Sequence, residues 1–240
     1  MVSQSVSIDV AGNAMPAYLA RPEGDDARPA VIVLQEIFGV NAEVKRITDL
    51  LAGAGYVGLA INYYHRTHPD LDEPYTPEGL QAGFKAAGAV SRATLRADVA
   101  AAIAWLGQQP FVRPGGVGTW GFCFGGTVAF LTASLPGVRA AACFYGGSIA
   151  SPMPGGEPPA MADASAVQAP LLLAFGGKDA YITADHVEAI RNALQAAGKT
   201  FEIVVYPDQD HAFFRNGDTS APDVGDAWRR VQAFFGEHVR

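Results

Sequence analysis

In the stretch "GTWGFCFGGTVAF", residues 118–130, a cysteine stands between glycines at two-residue spacing. Gly121, Cys123 and Gly125 form a G-x-C-x-G pattern where an apolar run gives way to a helix-like one. A strand-to-helix turn that tight strains its central residue and needs neighbours without side chains, so the central side chain projects beyond the sheet. This is the nucleophile-elbow pattern with sulfur in place of the usual hydroxyl. A thiol there also sits at a helix N-terminus, where unpaired N–H groups and the helix dipole favour thiolate. Cysteine elsewhere packs like a small hydrophobe, and Cys143 in "AACFYG" reads as core of that kind.

A thiol nucleophile needs a base, and the base an orienting acid, which on this kind of sheet follow the nucleophile in the order acid, then histidine. "LLLAFGGKDAY" places Asp179 just past an apolar strand, and "VVYPDQDHAFF" places His211 in the loop after the next one. Singly, Asp179 could be a turn residue or a helix cap, although Thr183 is the better cap, and His211 a solvated loop histidine. Jointly, in that order and at consecutive strand ends, Cys123, His211 and Asp179 read as a catalytic triad for acyl transfer. His186 and His238 fall within predicted helices on polar faces. His65 and His68, or Asp208 and Asp210 with His211, have chelating spacings, but no complementary Cys/His/carboxylate set accompanies them, so no metal site is expected.

The elements that must position these residues alternate. Residues 5–20 read as a strand pair turning at "AGNA", followed by a buried strand "AVIVLQEIFG" (30–39), a helix near 42–54, and a strand at 56–62. A long helix near 89–107, a strand at 115–121 and a helix from 123 follow, then strands at 139–146, 170–177 and 201–207 with a helix near 184–197 and a closing helix near 224–238. Such alternation predicts an α/β fold: a doubly wound, mostly parallel sheet with an antiparallel N-terminal edge, forming one domain over residues 1–240. Ligands of open α/β sheets lie beyond the carboxyl ends of the strands, where the elbow, Asp179 and His211 fall. Long connections at 63–78, 147–169 and 208–222 interrupt the rhythm, and the Pro-, Gly- and Ala-rich 147–169 reads as mobile.

Net charge is −7 with scattered basic residues, which argues against nucleic acid as a partner. The N-terminus has no basic segment followed by an apolar run, and no stretch reaches the roughly 18 apolar residues of a membrane span. A cytoplasmic protein with reduced thiols, no membrane partner, and a monomeric or weakly dimeric state is expected.

"LQEIFGVN" (34–41), "GFCFGG" (121–126), "GGKD" (176–179) and "DHAFFR" (210–215) together resemble the dienelactone hydrolases (carboxymethylenebutenolidases), cysteine-nucleophile members of the α/β-hydrolase fold, over nearly the whole chain. The resemblance implies a hydrolase that opens a lactone or cleaves a related small ester through a thiol acyl-enzyme, with no cofactor. It also implies a role for Glu36: the matching family glutamate contacts the cysteine in the resting enzyme and keeps it turned from the histidine. A nearby carboxylate raises a thiol's pKa, so that arrangement is physically coherent. The same two segments supply an oxyanion hole from the backbone N–H groups of Ile37 and Phe124.

Arg215 corresponds to a family arginine that binds the substrate's carboxylate. A second family arginine and its tyrosine companion align with Leu80 and Phe84 in "PEGLQAGFKAAG", so one anchor is lost, and the spacing of Arg92 and Arg96 suits a helix surface better than a replacement. Losing one of two charge-assisted contacts weakens carboxylate binding by about 1–3 kcal/mol, which points to a less acidic lactone or ester. Phe38, Tyr64, Phe84 and Tyr145 are the candidate walls of the substrate site. Two other readings compete: a broad carboxylesterase or thioesterase with side activity on phosphoesters, and a non-catalytic binding protein on a hydrolase scaffold, which the presence of Cys, His and Asp disfavours.

Overall fold

The computed structural model describes residues 1–239. Its centre is an eight-stranded sheet in the order β1-β2-β4-β3-β5-β6-β7-β8. The strands are β1 (Val2–Val10), β2 (Asn13–Arg21), β3 (Arg28–Leu34), β4 (Val57–Ile61), β5 (Val112–Phe122), β6 (Val138–Phe144), β7 (Leu171–Gly176) and β8 (Phe201–Tyr206). Strand β2 runs antiparallel to both β1 and β4, and the other pairings are parallel. The sheet is therefore the expected α/β architecture with an antiparallel N-terminal edge. The β1–β2 hairpin turns at Ala11 and Gly12, both at positive φ, the backbone that a two-residue hairpin loop requires.

Among the described residues, six α-helices connect or close the sheet: α1 (Ala42–Gly53), α2 (Pro77–Ala87), α3 (Arg92–Leu106), α4 (Phe124–Thr132), α5 (Ala184–Ala196) and α6 (Pro222–His238). Strand register fixes the face on which α1 and α6 lie. Gly58 and Gly118 both sit beside Val31, and a methyl group on either would run into Thr48 of α1 or Phe235 of α6. The absent side chains let both helices approach the same face closely. Helices α3 and α4 pack against each other and against the β3 and β5 strands. Covered in this way, all residues of β4 and β7 are buried, which is why those strands read as unbroken apolar runs.

Helix α2 is an addition to the expected elements. Its two glycines and short apolar content hide the helical period, but Thr76 caps it through the Gly79 N–H and Pro77 occupies its first turn. Segment 147–169 follows a defined course. Arg92 reaches Glu157, Asp163 and the carbonyls of Pro158 and Pro159, while Arg96 adds a second contact to Asp163. A 3-10 turn, Ala160–Ala166, carries Asp163 of that clamp. Composition alone missed it because the anchoring charges lie on α3, about 65 residues earlier.

Candidate active site

The elbow forms where β5 meets α4. Cys123 adopts φ 52° and ψ −117° as the residue immediately before the helix. A methyl group on Gly121 would overlap the Gly125 carbonyl, and one on Gly125 would overlap the carbonyls of Leu34 and Gln35. Both pattern glycines are therefore required by close backbone approach. The strained turn is held by Cys123 N–H donating to Phe144 O at 3.1 Å and Cys123 O accepting from Gly126 N–H at 3.0 Å. The strain costs on the order of 1–3 kcal/mol and leaves the thiol partly exposed in front of the helix N-terminus.

Asp179 follows β7 and His211 follows β8, and the two side chains meet at 2.7 Å between Asp179 Oδ2 and His211 Nδ1. Asp179 Oδ1 accepts from the Tyr181 and Ile182 N–H groups at 2.8 and 3.0 Å, which fixes the carboxylate. Burial alone would raise the Asp179 pKa, yet the imidazole and these two amides hold it below the usual carboxylate value. Burial alone would lower the His211 pKa, but hydrogen bonds to Asp179 and Cys123 and the charges of both raise it to about 10. With Nδ1 on Asp179, Nε2 remains for the sulfur. The three expected side chains thus converge at one rim of the sheet. Thr183, expected as the better cap, does cap α5, accepting from His186 N–H.

The expected Glu36–cysteine contact is not the one found. Both Glu36 carboxylate oxygens accept from Arg215, at 2.8 Å from Nη2 and 3.0 Å from Nε, and the thiol lies near enough to His211 to help raise the imidazole's pKa. A bidentate, charge-assisted pair outweighs a contact between a carboxylate and a neutral thiol, so the glutamate turns to the arginine. Arg215, expected as a free carboxylate anchor, consequently has its fork occupied. Glu36 is 3% exposed, so the pair is largely desolvated.

Tyr75 was not anticipated. The Arg215 guanidinium stacks over its ring at 4.0 Å, Phe38 meets that ring edge-on at 4.8 Å, and its hydroxyl accepts from Asn41 Nδ2 at 3.1 Å. The available signal was an aromatic residue in a long connection beyond a strand end. Of the expected walls, Phe38, Tyr64 and Tyr145 are buried around the site. Tyr63 donates to the Gln35 carbonyl at 2.5 Å and packs edge-on against Tyr64, bracing the segment that carries Glu36 and Ile37. Phe84 is a correction: it lies on α2 and is 53% exposed, so it forms no closed wall. Leu80 packs against the core beside it.

Among the described residues, the N–H groups of Phe124 and Ile37 find no acceptor within hydrogen-bond range. His65 lies in the interior against Asp98, with Nε2 at 3.2 Å, and Asp208 pairs with Lys178. Among the described residues, no cluster of three or more His, Cys, Asp or Glu side chains forms a metal-binding set. No helix of the described chain is long and apolar enough to cross a membrane.

Comparison with known proteins identifies the family. The model of the dienelactone hydrolase family matches residues 15–239. A Synechocystis sp. protein named "Putative carboxymethylenebutenolidase" is 40% identical, covering 91% of this chain and 89% of its own. A Bradyrhizobium sp. protein named "Probable 2-oxo-3-(5-oxofuran-2-ylidene)propanoate lactonase" is 34% identical, covering 98% of this chain and 94% of its own. The crystal structure of a Klebsiella pneumoniae protein, named "Putative Dienelactone Hydrolase", superposes with a TM-score of 0.88 at 33% identity, covering 99% of each chain. The chain belongs to the dienelactone hydrolase family and is an enzyme of the lactone and ester hydrolase class.

Proposed function

We propose that this enzyme opens small lactones or cleaves small carboxylic esters through a thioester on Cys123. The Cys123 thiolate attacks the substrate carbonyl, and the resulting oxyanion is received by the Phe124 and Ile37 N–H groups. His211, cationic through its pairing with Asp179 and the sulfur, gives its Nε2 proton to the leaving oxygen as the tetrahedral intermediate collapses. In a lactone that oxygen stays tethered to the acyl group as a hydroxyl. His211 then takes a proton from water, the hydroxide adds to the thioester, and the thiolate departs from the second intermediate. Asp179 holds the imidazole in one orientation throughout.

The observation that carries this reading is the convergence of Cys123 with the Asp179–His211 pair, at 2.7 Å within that pair. The substrate is proposed to be neutral or weakly acidic. Two points support that choice: the resemblance sets Leu80 at the place of a second anchoring arginine and Phe84 at that of its tyrosine companion, and Arg215 is already held by Glu36. A carboxylate would have to displace a buried ion pair before Arg215 could bind it. A panel of matched neutral and anionic lactones and esters, assayed on wild type and Cys123→Ala, tests both parts. Cleavage should favour the neutral members and vanish in the variant; retention of activity by Cys123→Ala would exclude the mechanism.

A further inference from the structure

Two adjacent strand ends carry left-handed residues in this site, and only one belongs to the elbow. Tyr145, the first residue past β6, has φ 39°. Positive φ in a bulky aromatic residue is a genuine outlier, costing on the order of 1–3 kcal/mol, and such strain persists where its surroundings enforce it. Gly146 and Gly147 follow directly, so the chain could have placed a glycine at this position.

The kink redirects the side chain. Successive residues of a strand point to opposite faces, yet Phe144 and Tyr145 both pack against Phe122 and Phe213, with ring centroids between 5.6 and 6.1 Å. The Tyr145 ring also meets the His211 ring edge-on at 5.4 Å. The left-handed turn thus swings the phenol across the strand ends and onto the catalytic imidazole. Its backbone N–H, donating to Ala174 O at 2.7 Å, locks that turn.

Tyr145 is only 1% exposed. Among the described residues its hydroxyl has no hydrogen-bond partner, although it lies close enough to feel the charges of Glu36, Arg215 and Cys123. Burial, reinforced by Glu36, raises its pKa well above the ordinary phenol value, so the group remains a protonated donor. The hydroxyl is not among the side-chain atoms sealed from solvent without a partner, so it opens on the cleft as a donor available to a ligand's acceptor. An apolar wall would be served equally well by phenylalanine.

We propose that the Tyr145 hydroxyl donates a hydrogen bond to an oxygen substituent on the acyl side of the substrate, on the carbon next to the reacting carbonyl. The acyl side is favoured because His211 Nε2 must face the leaving oxygen, whereas the phenol lies within range of the Cys123, Glu36 and Arg215 charges. Tyr145 therefore selects acyl groups bearing a neutral oxygen acceptor. This inference rests on the thiol acyl-enzyme reading above.

The test uses two aryl esters of matched shape, a methoxyacetate and a butyrate, which differ by one ether oxygen in place of a methylene. Tyr145→Phe keeps the ring and removes only the hydroxyl, and an unchanged melting midpoint establishes that the fold is retained. The loss of kcat/KM on the methoxyacetate should exceed the loss on the butyrate by about tenfold, the usual penalty for an orphaned polar partner in a dry site. Losses within about twofold of each other would overturn the proposal. Cys123→Ala run in parallel separates the two claims: its inactivity leaves the acyl-enzyme reading intact whatever Tyr145 does, and its retained activity removes both.

Discussion

Arg215 closes its guanidinium fork on the carboxylate of Glu36, with contacts of 2.8 and 3.0 Å, while its flat face rests 4.0 Å from the Tyr75 ring. The arginine is thereby fixed at its fork and on one face before any substrate arrives. A neighbouring contact strengthens the arrangement: Glu43, paired with Arg46, accepts from the Asn216 N–H at 3.0 Å and holds the chain just past Arg215. Asn216 itself has positive φ, so this loop is bent as well as anchored.

Removing Arg215 alone leaves a buried carboxylate without its partner. Arg215→Met is expected to destabilise the protein by about 2–4 kcal/mol, and the double variant Arg215→Met/Glu36→Gln to recover at least half of that loss. Urea denaturation of the three proteins measures both numbers. Equal stability of single and double variants would show that the pair contributes little.

The same pair should bias the enzyme against anions. Glu36→Gln removes the competing carboxylate, so kcat/KM for a carboxylate-bearing lactone should rise relative to its neutral methyl ester by about tenfold or more. The comparison is a ratio of two substrates on each protein, so a general loss of activity cancels. An unchanged ratio would mean that Glu36 does not compete for Arg215.

His211, raised to about 10, should remain cationic through neutral pH. Since leaving-oxygen protonation needs that cation, kcat/KM should hold through neutral pH and fall as pH passes about 10. Asp179→Asn removes a carboxylate that raises the imidazole, and should bring this alkaline limb down by at least about one unit. The stability linkage has two signs. The raised imidazole contributes fully below its unfolded value, about 6.5, and its contribution disappears through about 10. The lowered Asp179 contributes above the unfolded carboxylate value, and its share is lost as acid takes pH through its depressed pKa. Melting midpoints of wild type and Asp179→Asn across pH should differ most between those limits.

Arg92 makes the clamp on segment 147–169 a local matter. Arg92→Ala leaves Glu157 and Asp163 short of a partner on the arginine side and frees two carbonyls, so amide exchange should accelerate through 157–166 while the β5 and β6 amides stay protected. A global loss of protection would instead make the clamp part of the cooperative core.

Much of this fold was legible because parallel strands buried on both faces advertise themselves as apolar runs, and "LLLAF" and "AVIVL" became β7 and β3. The elbow was legible for a related reason: its glycines are demanded by backbone overlap within a few residues, so the constraint is written locally. Asp179 and His211 could be picked out by their order after strands. The orientation of Glu36 could not, because its choice between sulfur and guanidinium depends on Arg215, 179 residues away. Tyr75 was hidden in the same way, since its role is defined by the ring face it offers to that arginine. The left-handed turn at Tyr145 left no trace in a run that reads as ordinary strand, "AACFYG".

The central claim is that acyl transfer passes through the sulfur of Cys123. Turnover of a slowly hydrolysed aryl ester can be stopped with acid and the digested protein weighed, in wild type and Cys123→Ala. The account predicts the acyl mass on the peptide carrying Cys123, no such adduct in the variant, and a loss of turnover of at least about a thousandfold there. Wild-type turnover by Cys123→Ala, or acyl label on a different side chain, would contradict it.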